Sequence, residues 1–213
     1  MINVVNNLSK SFGYARDQGA RPTCLAFSIS DINMFANSLS AYLSVEYLCF
    51  HAARNMVGWK IEQPFTCNAV MKAAREAGQP AEVSYPYDLN DQSKPLMEPP
   101  SFGELKKVDC HYGVGDVNDV IDAIVVGKPI IIIISLTQKF MSPEGGVVVD
   151  EPKPENVYPG LHAVLVVGHG KMAKSNEQYF YIRNSWGTEW GENGHSWVSY
   201  TYLCRHLAGV IGI

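Results

Sequence analysis

The stretch that decides the fold of this chain is Asp17-Gln18-Gly19-Ala20-Arg21-Pro22-Thr23-Cys24-Leu25-Ala26-Phe27-Ser28. A loop containing glycine and proline separates Gln18 from Cys24, and an apolar run typical of a helix follows Cys24. A thiol at the start of a helix lies beside unpaired N–H groups and the positive end of the helix dipole, both of which favour the thiolate. When a thiolate attacks an acyl carbon, the oxyanion needs a hydrogen-bond donor, and the side-chain amide of Gln18 is such a donor. The stretch therefore predicts Cys24 as a nucleophile with Gln18 in its oxyanion hole.

The composition limits the classes of partner. The 213 residues are 46% hydrophobic and 18% charged, which suits one compact soluble domain or two closely packed lobes. A net charge of −4 without a lysine- or arginine-rich run predicts no nucleic-acid partner. No apolar run approaches the roughly 20 residues that span a bilayer, so no membrane partner is predicted. Residues 1–7 lack the basic and apolar regions of a secretory signal, which predicts a cytoplasmic protein or one delivered from a reducing compartment.

The five cysteines are odd in number, widely scattered and without a C-x-x-C pair. This pattern favours four buried thiols and one reactive thiol over a disulfide framework. An excised domain of a longer secreted or injected protein would have the same pattern. A zinc set assembled from Cys67, Cys110, His111, His169 and His195 has no recognisable ligand spacing, so no metal is predicted.

Periodicity divides the chain into a helical first half and a second half made mostly of strands. The predicted helices are 25–43, 45–53 with Ser44 as N-cap, 68–76 ending at an αL cap on Gly78, and 117–126 with Asp116 as cap. The predicted strands are 108–112, 130–134, 163–167, 178–183 and 194–198, with a long loop containing Pro152 and Pro154 before the third. Two lobes that meet in a cleft are the expected architecture.

Two segments of the second half supply partners for Cys24. His162 opens an apolar strand directly after a glycine-containing loop, so its ring can face a cleft while the strand stays packed. Downstream, Asn184 begins a run with two tryptophans and three glycines. Asn184 can accept the imidazole N–H, and the indole of Trp186 can shield that bond from water. Nucleophile, base and orienting group together are typical of acyl-transfer enzymes.

These landmarks resemble those of papain-family (C1) cysteine peptidases. The matching segments are Gln18-Gly19, Cys24 with Ala26-Phe27-Ser28, Leu43-Ser44 with Glu46-Tyr47-Leu48, Tyr85-Pro86-Tyr87, His162-Ala163-Val164, and Asn184-Ser185-Trp186-Gly187-Thr188 with Trp190-Gly191-Glu192-Asn193-Gly194. They follow the family's order, and the last is the most specific. Cys24 and His162 are 138 residues apart, within the family's spacing of roughly 130–150 residues.

The resemblance implies a single papain-like peptidase domain over residues 1–213, with an α+β two-lobe fold. The helical lobe is expected at about 14–105, and the β-barrel-like lobe at 106–213 with the N-terminal residues added. The active-site cleft is expected between the two lobes.

The resemblance also implies a role for each matched residue. Cys24 is the nucleophile and His162 the general base and then acid, the two resting as a thiolate–imidazolium pair, while Asn184 orients His162. Gln18 and the backbone N–H of Cys24 form the oxyanion hole. The implied substrate-binding residues are Trp186, Trp190 on the primed side, Trp59 in the loop 58–65, and Leu161.

Three departures from the family pattern stand near the predicted site. Arg21 occupies the position of a cysteine in secretory members, so their disulfide cannot form here. Leu25 replaces a tryptophan, and Leu161 replaces an acidic or amide residue. The pattern is most similar to the bacterial branch that lacks the usual disulfides. No inhibitory pro-segment stands ahead of Cys24 in this sequence. Either activity is controlled in another way, for which a proteinaceous inhibitor or a regulatory domain is a possible partner, or the regulatory part lies outside this sequence.

The sequence thus predicts an endopeptidase that hydrolyses proteins or peptides through a thioester acyl-enzyme and needs no metal or organic cofactor. Two alternatives stay open. The same site can perform acyl transfer or side-chain deamidation, because its geometry does not fix the acceptor. The chain can also be a non-catalytic binding module on a peptidase scaffold.

Overall fold

The computed structural model of the protein describes residues 1–91, 97–149 and 157–213. The predicted loop prolines Pro152 and Pro154 lie outside these residues. The chain divides into two compact units, each described in turn. One, the helical unit, comprises Gln18–His111 and Ile213. The other, the sheet unit, comprises Met1–Asp17 and Tyr112–Gly212.

The helical unit is built from three α-helices that pack against one another: α1 (Cys24–Ala36), α2 (Val45–Arg54) and α3 (Cys67–Glu76). In α1 every side chain from Leu25 to Met34 is buried, including the polar Ser28, Ser30, Asp31 and Asn33, so the helix is enclosed on all sides. The predicted extension to residue 43 is wrong. The helix ends at Ala36 because Ser38 has a φ of +53°, which an α-helix cannot continue.

The predicted helix ends of α2 and α3 are confirmed. Ser44 caps α2 by accepting a hydrogen bond from the backbone N–H of Tyr47 at 3.1 Å. After α3, Gly78 adopts a φ of +79° and donates its N–H to the carbonyl of Ala73, as expected for an αL cap.

The sheet unit is built mainly on one sheet. Its strands are β1 (Ile2–Asn7), β2 (His111–Gly113), β3 (Ile130–Thr137), β4 (Val147–Val148), β5 (Val157–Met172), β6 (Gln178–Arg183), β7 (His195–Ser199) and β8 (Leu207–Gly212). Within the described residues the strand order is β2-β8-β3-β5-β6-β7-β4, and β1 pairs with β5. The helices α4 (Val117–Val125), α5 (Gln138–Met141) and α6 (Tyr200–His206) accompany the sheet. No helix in the described part of the chain is long and apolar enough to cross a membrane.

The five isoleucines at the start of β3 form the middle of this sheet. All five are buried, and β3 lies between β5 and β8 with antiparallel pairing on both sides. Because consecutive residues of β3 are buried, both of its faces are covered, and its sequence is a continuous apolar run, as predicted. Its register pairs Ile134 with His162 of β5, so the central strand fixes the position of the predicted base.

Several strands and helices differ from the sequence-based expectations. The strand expected at 163–167 is the middle of the 16-residue β5, and the strand expected at 108–112 is confined to His111–Gly113. The elements β1, β4, β8, α5 and α6 were not predicted. β1 was missed because most of its side chains are exposed, which leaves no alternation of apolar and polar residues to recognise.

Candidate active site

The predicted site residues form two groups, one in each unit. Gln18, Cys24 and Trp59 belong to the helical unit. Leu161, His162, Asn184, Trp186 and Trp190 belong to the sheet unit.

Cys24 is the first residue of α1, and the N-terminus of this helix has no side-chain cap. Each of the other α-helices in the described residues has one, namely Ser44, Thr66, Asp116, Thr137 and Ser199. The residue before Cys24, Thr23, has a hydroxyl suited to capping, yet that hydroxyl lies 2.8 Å from the hydroxyl of Tyr87 instead. The first turn also contains no acidic residue. The positive end of the α1 dipole therefore acts on Cys24, and this setting stabilises a thiolate.

Gln18 is held by a buried hydrogen bond within the same loop. Its Nε2 donates to the carbonyl of Arg21 at 2.7 Å, and only 7% of the residue is exposed. Because a carbonyl can only accept, this bond settles which end of the amide is the NH2 group. The donor end of Gln18 thus faces the loop that leads to Cys24.

Arg21, one of the departures from the family pattern, is a buried partner of Glu46. Its guanidinium donates to both carboxylate oxygens of Glu46, at 2.7 and 2.8 Å, and also to the carbonyl of Asp88 at 3.1 Å. Arg21 is 2% exposed and Glu46 is fully buried. Burial alone would lower the pKa of Arg21, but the hydrogen bonds with Glu46 raise it above its ordinary value.

Burial affects the pKa of three of the other cysteines. It raises the pKa of Cys49 and of Cys67, and it raises the pKa of Cys110 to about 12. These three thiols are therefore poor nucleophiles at neutral pH. Cys24 is half-buried, and Cys204 on α6 is exposed.

His162 and Asn184 form a buried hydrogen bond whose polarity can be derived from a third group. Nε2 of His162 lies 2.7 Å from Oδ1 of Asn184, and the backbone N–H of Ser185 donates to the same Oδ1 at 2.8 Å. An N–H donor requires that this atom be the amide oxygen, which can only accept. His162 must therefore carry its hydrogen on Nε2. Nδ1 is the ring nitrogen that remains for proton transfer.

Burial and aromatic rings define the surroundings of His162. The residue is 4% exposed, and its ring stacks on Trp186 with centroids 4.5 Å apart. Burial lowers the pKa of His162 to about 4, and the hydrogen bond with Asn184 partly opposes this shift. The neutral imidazole is therefore favoured by these surroundings at neutral pH.

The expected place of His162 at the mouth of a strand is wrong. It is the sixth residue of β5, at the point where the strand passes from exposed to buried residues. The preceding residue, Leu161, is 57% exposed. His162 and its two neighbours in β5 are all paired with β3, which fixes the backbone of His162 more firmly than a strand end would.

Phe140 on α5 was not predicted, although it lies at the centre of the aromatic residues around His162. Its ring makes edge-to-face contacts with His162 and Trp186, and its carbonyl accepts a hydrogen bond from Nε1 of Trp190 at 3.1 Å. Trp190 is 7% exposed and belongs to the core of the unit, whereas Trp186 is half-buried. Nothing in the sequence around Phe140 marks these contacts, because they depend on the tertiary packing of α5.

The N-terminal segment supports the loop that carries Asn184. The backbone N–H of Asn184 donates to the carbonyl of Gly194, and Gly187 donates to the carbonyl of Arg16. Gly194 has a φ of +79°, and a Cβ there would collide with Ala15. Only glycine therefore allows this loop to close against the N-terminal segment.

Trp59 lies in the helical unit within the loop 58–65. Its ring stacks on Phe65 with centroids 5.0 Å apart, and its Nε1 donates to the carbonyl of Gln63 at 2.9 Å.

In the part of the chain that the structure describes, no group of three or more histidine, cysteine, aspartate or glutamate side chains is arranged to hold a metal ion.

Comparison with known proteins identifies the family. The model of the papain family cysteine proteases matches residues 7–208, so the chain belongs to this family. The resemblance predicted from the motifs is thereby confirmed, together with the papain-like α+β fold. The assignment to a bacterial branch stays a prediction.

The relatives include pro-cathepsin H of Mus musculus, 29% identical over 114 residues that make up 54% of this chain and 33% of that protein. A cysteine protease of Blomia tropicalis is 25% identical over 93% of this chain and 63% of its own length. The chain thus spans between one third and two thirds of these two relatives. Among solved structures, xylellain, a cysteine protease from Xylella fastidiosa, has a TM-score of 0.75 at 20% identity and covers 94% of this chain and 82% of its own. Digestive procathepsin L 3 of the Tenebrio molitor larval midgut has a TM-score of 0.74 at 21% identity, covering 97% and 68%.

Proposed function

We propose that this protein is a cysteine endopeptidase that cleaves protein or peptide substrates through a thioester acyl-enzyme. The observation that carries the proposal is the hydrogen bond of His162 to Asn184, with its polarity fixed by Ser185. It leaves Nδ1 as the proton-transferring atom of a neutral imidazole. Cys24 at an uncapped helix N-terminus is the matching nucleophile.

In the first half of the reaction, Nδ1 of His162 takes the proton of the Cys24 thiol. The thiolate attacks the peptide carbonyl, and the oxyanion accepts hydrogen bonds from Nε2 of Gln18 and the backbone N–H of Cys24. His162 then donates its proton to the departing amine as the C–N bond breaks. The products of this half are a free amine and a thioester on Cys24.

In the second half, His162 is again a neutral base. It takes a proton from water while the water oxygen attacks the thioester carbonyl. The C–S bond breaks, the carboxylic acid leaves, and the proton returns from His162 to the sulfur. The overall change is the addition of one water molecule across one peptide bond.

The burial of His162 bears on the resting state of the pair. Its surroundings favour the neutral imidazole, so a resting imidazolium requires the negative charge of the Cys24 thiolate to raise the pKa of His162. The helix dipole of α1 favours that thiolate. We propose that these two charges stabilise each other before substrate binds.

The proposed substrate contacts are those of the exposed and half-buried side chains beside the reacting groups. Trp186 stacks on His162 and is half-buried. Leu161, which directly precedes His162 in β5, is exposed. Trp59 is the further candidate for direct contact with the substrate, whereas Trp190 acts indirectly. Because Trp190 is largely buried, its role is to support Trp186, which it contacts edge to face.

The test is turnover of a peptide substrate by matched cysteine variants. Cys24→Ala is expected to lower kcat by at least about 10³-fold, because the nucleophile is lost. Cys204→Ser removes an exposed thiol outside the proposed site and is expected to keep kcat within about 2-fold. Cleavage by purified Cys24→Ala at the wild-type rate would refute the proposal.

Mass spectrometry of the products separates hydrolysis from the alternative reactions at the same site. Endopeptidase activity gives two fragments that together contain one added water. Side-chain deamidation leaves the chain intact with a mass change of about one unit, and acyl transfer joins the acyl fragment to an added amine. Alkylation of Cys24 by iodoacetamide at mildly acidic pH, measured in Cys204→Ser, tests for a reactive thiol and would exclude a merely binding scaffold.

A further inference from the structure

We propose that Arg21 is a positioning residue for the oxyanion hole. It links the buried carboxylate of Glu46 to the side-chain amide of Gln18. The inference rests on the proposed function, in which Gln18 stabilises the oxyanion.

The link consists of two direct contacts made by the same residue. The side chain of Arg21 is fixed by Glu46 through two short charge-assisted hydrogen bonds, at 2.7 and 2.8 Å. The main-chain carbonyl of Arg21 accepts the hydrogen bond from Nε2 of Gln18 at 2.7 Å. The guanidinium fork allows little rotation against a carboxylate, and the Arg21 side chain is buried, so contact with Glu46 restricts movement of the Arg21 backbone.

Glu46 is itself fixed on a rigid element. It lies in the first turn of α2, is fully buried, and also accepts the backbone N–H of Asp88 at 3.1 Å. A carboxylate near a helix N-terminus is favoured by the helix dipole. The anchor for Arg21 is therefore part of a packed helix and not of a loop.

Tyr87 holds the same loop at two further points. Its hydroxyl donates to the carbonyl of Gln18 at 3.0 Å, so the hydroxyl of Thr23, 2.8 Å away, must donate to Tyr87. The guanidinium of Arg21 lies 4.3 Å from the centroid of the Tyr87 ring, which adds a cation–π contact. The loop from Gln18 to Thr23 is thus held at both ends and in the middle.

This arrangement matters for catalysis because an oxyanion-hole donor is effective only when it is held in place before the charge develops. The loop between Gln18 and Cys24 contains glycine and proline but no helix or strand. Its geometry therefore depends on side-chain contacts such as those of Arg21 and Tyr87, together with one main-chain hydrogen bond, from the N–H of Thr23 to the carbonyl of Arg21 at 2.8 Å. Release of the Arg21 carbonyl would let the Gln18 amide move while Cys24 stays on α1.

The test is a double-mutant cycle on kcat. The uncharged pair variant, Arg21→Met with Glu46→Gln, removes the ion pair without leaving an unpaired buried charge, and the glutamine can still accept the N–H of Asp88. We expect kcat to fall by about 10- to 100-fold with KM within about 3-fold, because the donor is displaced but not deleted. In a Gln18→Ala background, the same pair variant should lower kcat by less than about 3-fold, since the group through which Arg21 acts is gone. Tyr87→Phe should show the same non-additivity without any change of charge.

The matched control is Arg54→Met, which breaks the exposed ion pair of Arg54 with Glu98 in the same unit and should leave kcat unchanged. Equal losses with and without Gln18, or no loss at all, would overturn the positioning role. An inactive wild type would refute the proposed function instead. In that case the side-chain ¹⁵N–¹H signals of Gln18 decide the positioning claim: a shift toward free-amide values in the pair variant supports it, and unchanged signals reject it.

Discussion

At the residue scale, the hydrogen bond of Asn184 to His162 should govern catalysis by holding one tautomer of the imidazole. Asn184→Ala removes the acceptor for the N–H of Nε2. Without it the imidazole can also carry its hydrogen on Nδ1, and that tautomer cannot act as the base through Nδ1. We expect kcat/KM to fall by roughly 10²-fold, in the range of general acid–base contributions. Steady-state kinetics on a fluorogenic peptide measures this change.

The sheet offers a matched control for this variant. His169 and Gln178 form a comparable histidine–amide contact in the same unit, with Nε2 and Oε1 2.9 Å apart. Gln178→Ala should leave kcat/KM within about 2-fold, because His169 has no proposed role in the reaction. An equal loss in both variants would mean that Asn184 acts only through stability.

Burial of His162 also predicts a dependence of stability on pH. Its folded pKa of about 4 lies below the ordinary value, so protonation favours the unfolded chain. The contribution of neutral His162 to the free energy of unfolding is complete above about pH 6.5. It is lost as the pH falls toward 4, which lowers the free energy of unfolding by up to about 3 kcal/mol. The effect should be clearest in Cys24→Ala, which has no thiolate to offset the positive charge.

Urea denaturation at pH 7 and pH 4.5 tests this expectation. The free energy of unfolding of Cys24→Ala should fall more than that of the double variant Cys24→Ala with His162→Gln, in which the titrating group is absent. Other carboxylates titrate alike in both proteins and cancel. Equal acid sensitivity of the two variants would contradict a strongly lowered pKa of His162.

The residues that could be predicted from the sequence are those whose chemistry is visible in short motifs. Cys24, His162 and Asn184 stand out because their residue types and spacing match a known reaction. Phe140 and Ser185 could not be predicted in their roles. The first acts through a tertiary ring contact and the second through a backbone N–H that every residue possesses.

At the element scale, α4 should depend on its capping box. Asp116 accepts the backbone N–H groups of Asn118 and Asp119, and the side chain of Asp119 accepts the N–H of Asp116. Asp116→Ala leaves these donors without their partner and should cost about 1 kcal/mol of unfolding free energy. Asp122→Ala, an exposed change within the same helix, is the control and should alter stability by less than about 0.5 kcal/mol. Equal effects measured by urea unfolding would show that the cap contributes nothing beyond helix propensity.

The elements that were correctly predicted carry a local signal. Capping residues marked the starts of α2 and α4, and the run of isoleucines marked β3. The length of β5 could not be predicted, because five exposed residues at its start are strand only through pairing with β3. The helix predicted for α1 was too long, because apolar residues continue beyond the turn at Ser38 and no sequence motif marks that turn.

At the scale of the whole molecule, stability should not depend on the redox state of the solvent. All five cysteines lie within the described residues, and the structure places none of them in a disulfide. Arg21, a departure from the family pattern, is paired with Glu46. A thermal unfolding midpoint measured with and without 5 mM dithiothreitol, roughly a standard reducing dose, should change by less than about 1 °C, since no cross-link restrains the unfolded chain. A drop of several degrees on reduction would reveal a disulfide.

The pairing of β1 with β5 has a consequence for synthesis on the ribosome. Residues Ile2–Asn7 leave the ribosome long before their partners in the strand ladder, Gly168 to Met172. At translation speeds of about 5–20 residues per second, the first strand waits roughly 8 to 35 seconds for its neighbour. During that interval its N–H and C=O groups have no ladder partner, and three of its side chains are valine or isoleucine. A nascent chain of this kind is a natural client for a ribosome-associated chaperone, and slow codons placed before residue 157 would lengthen its exposure.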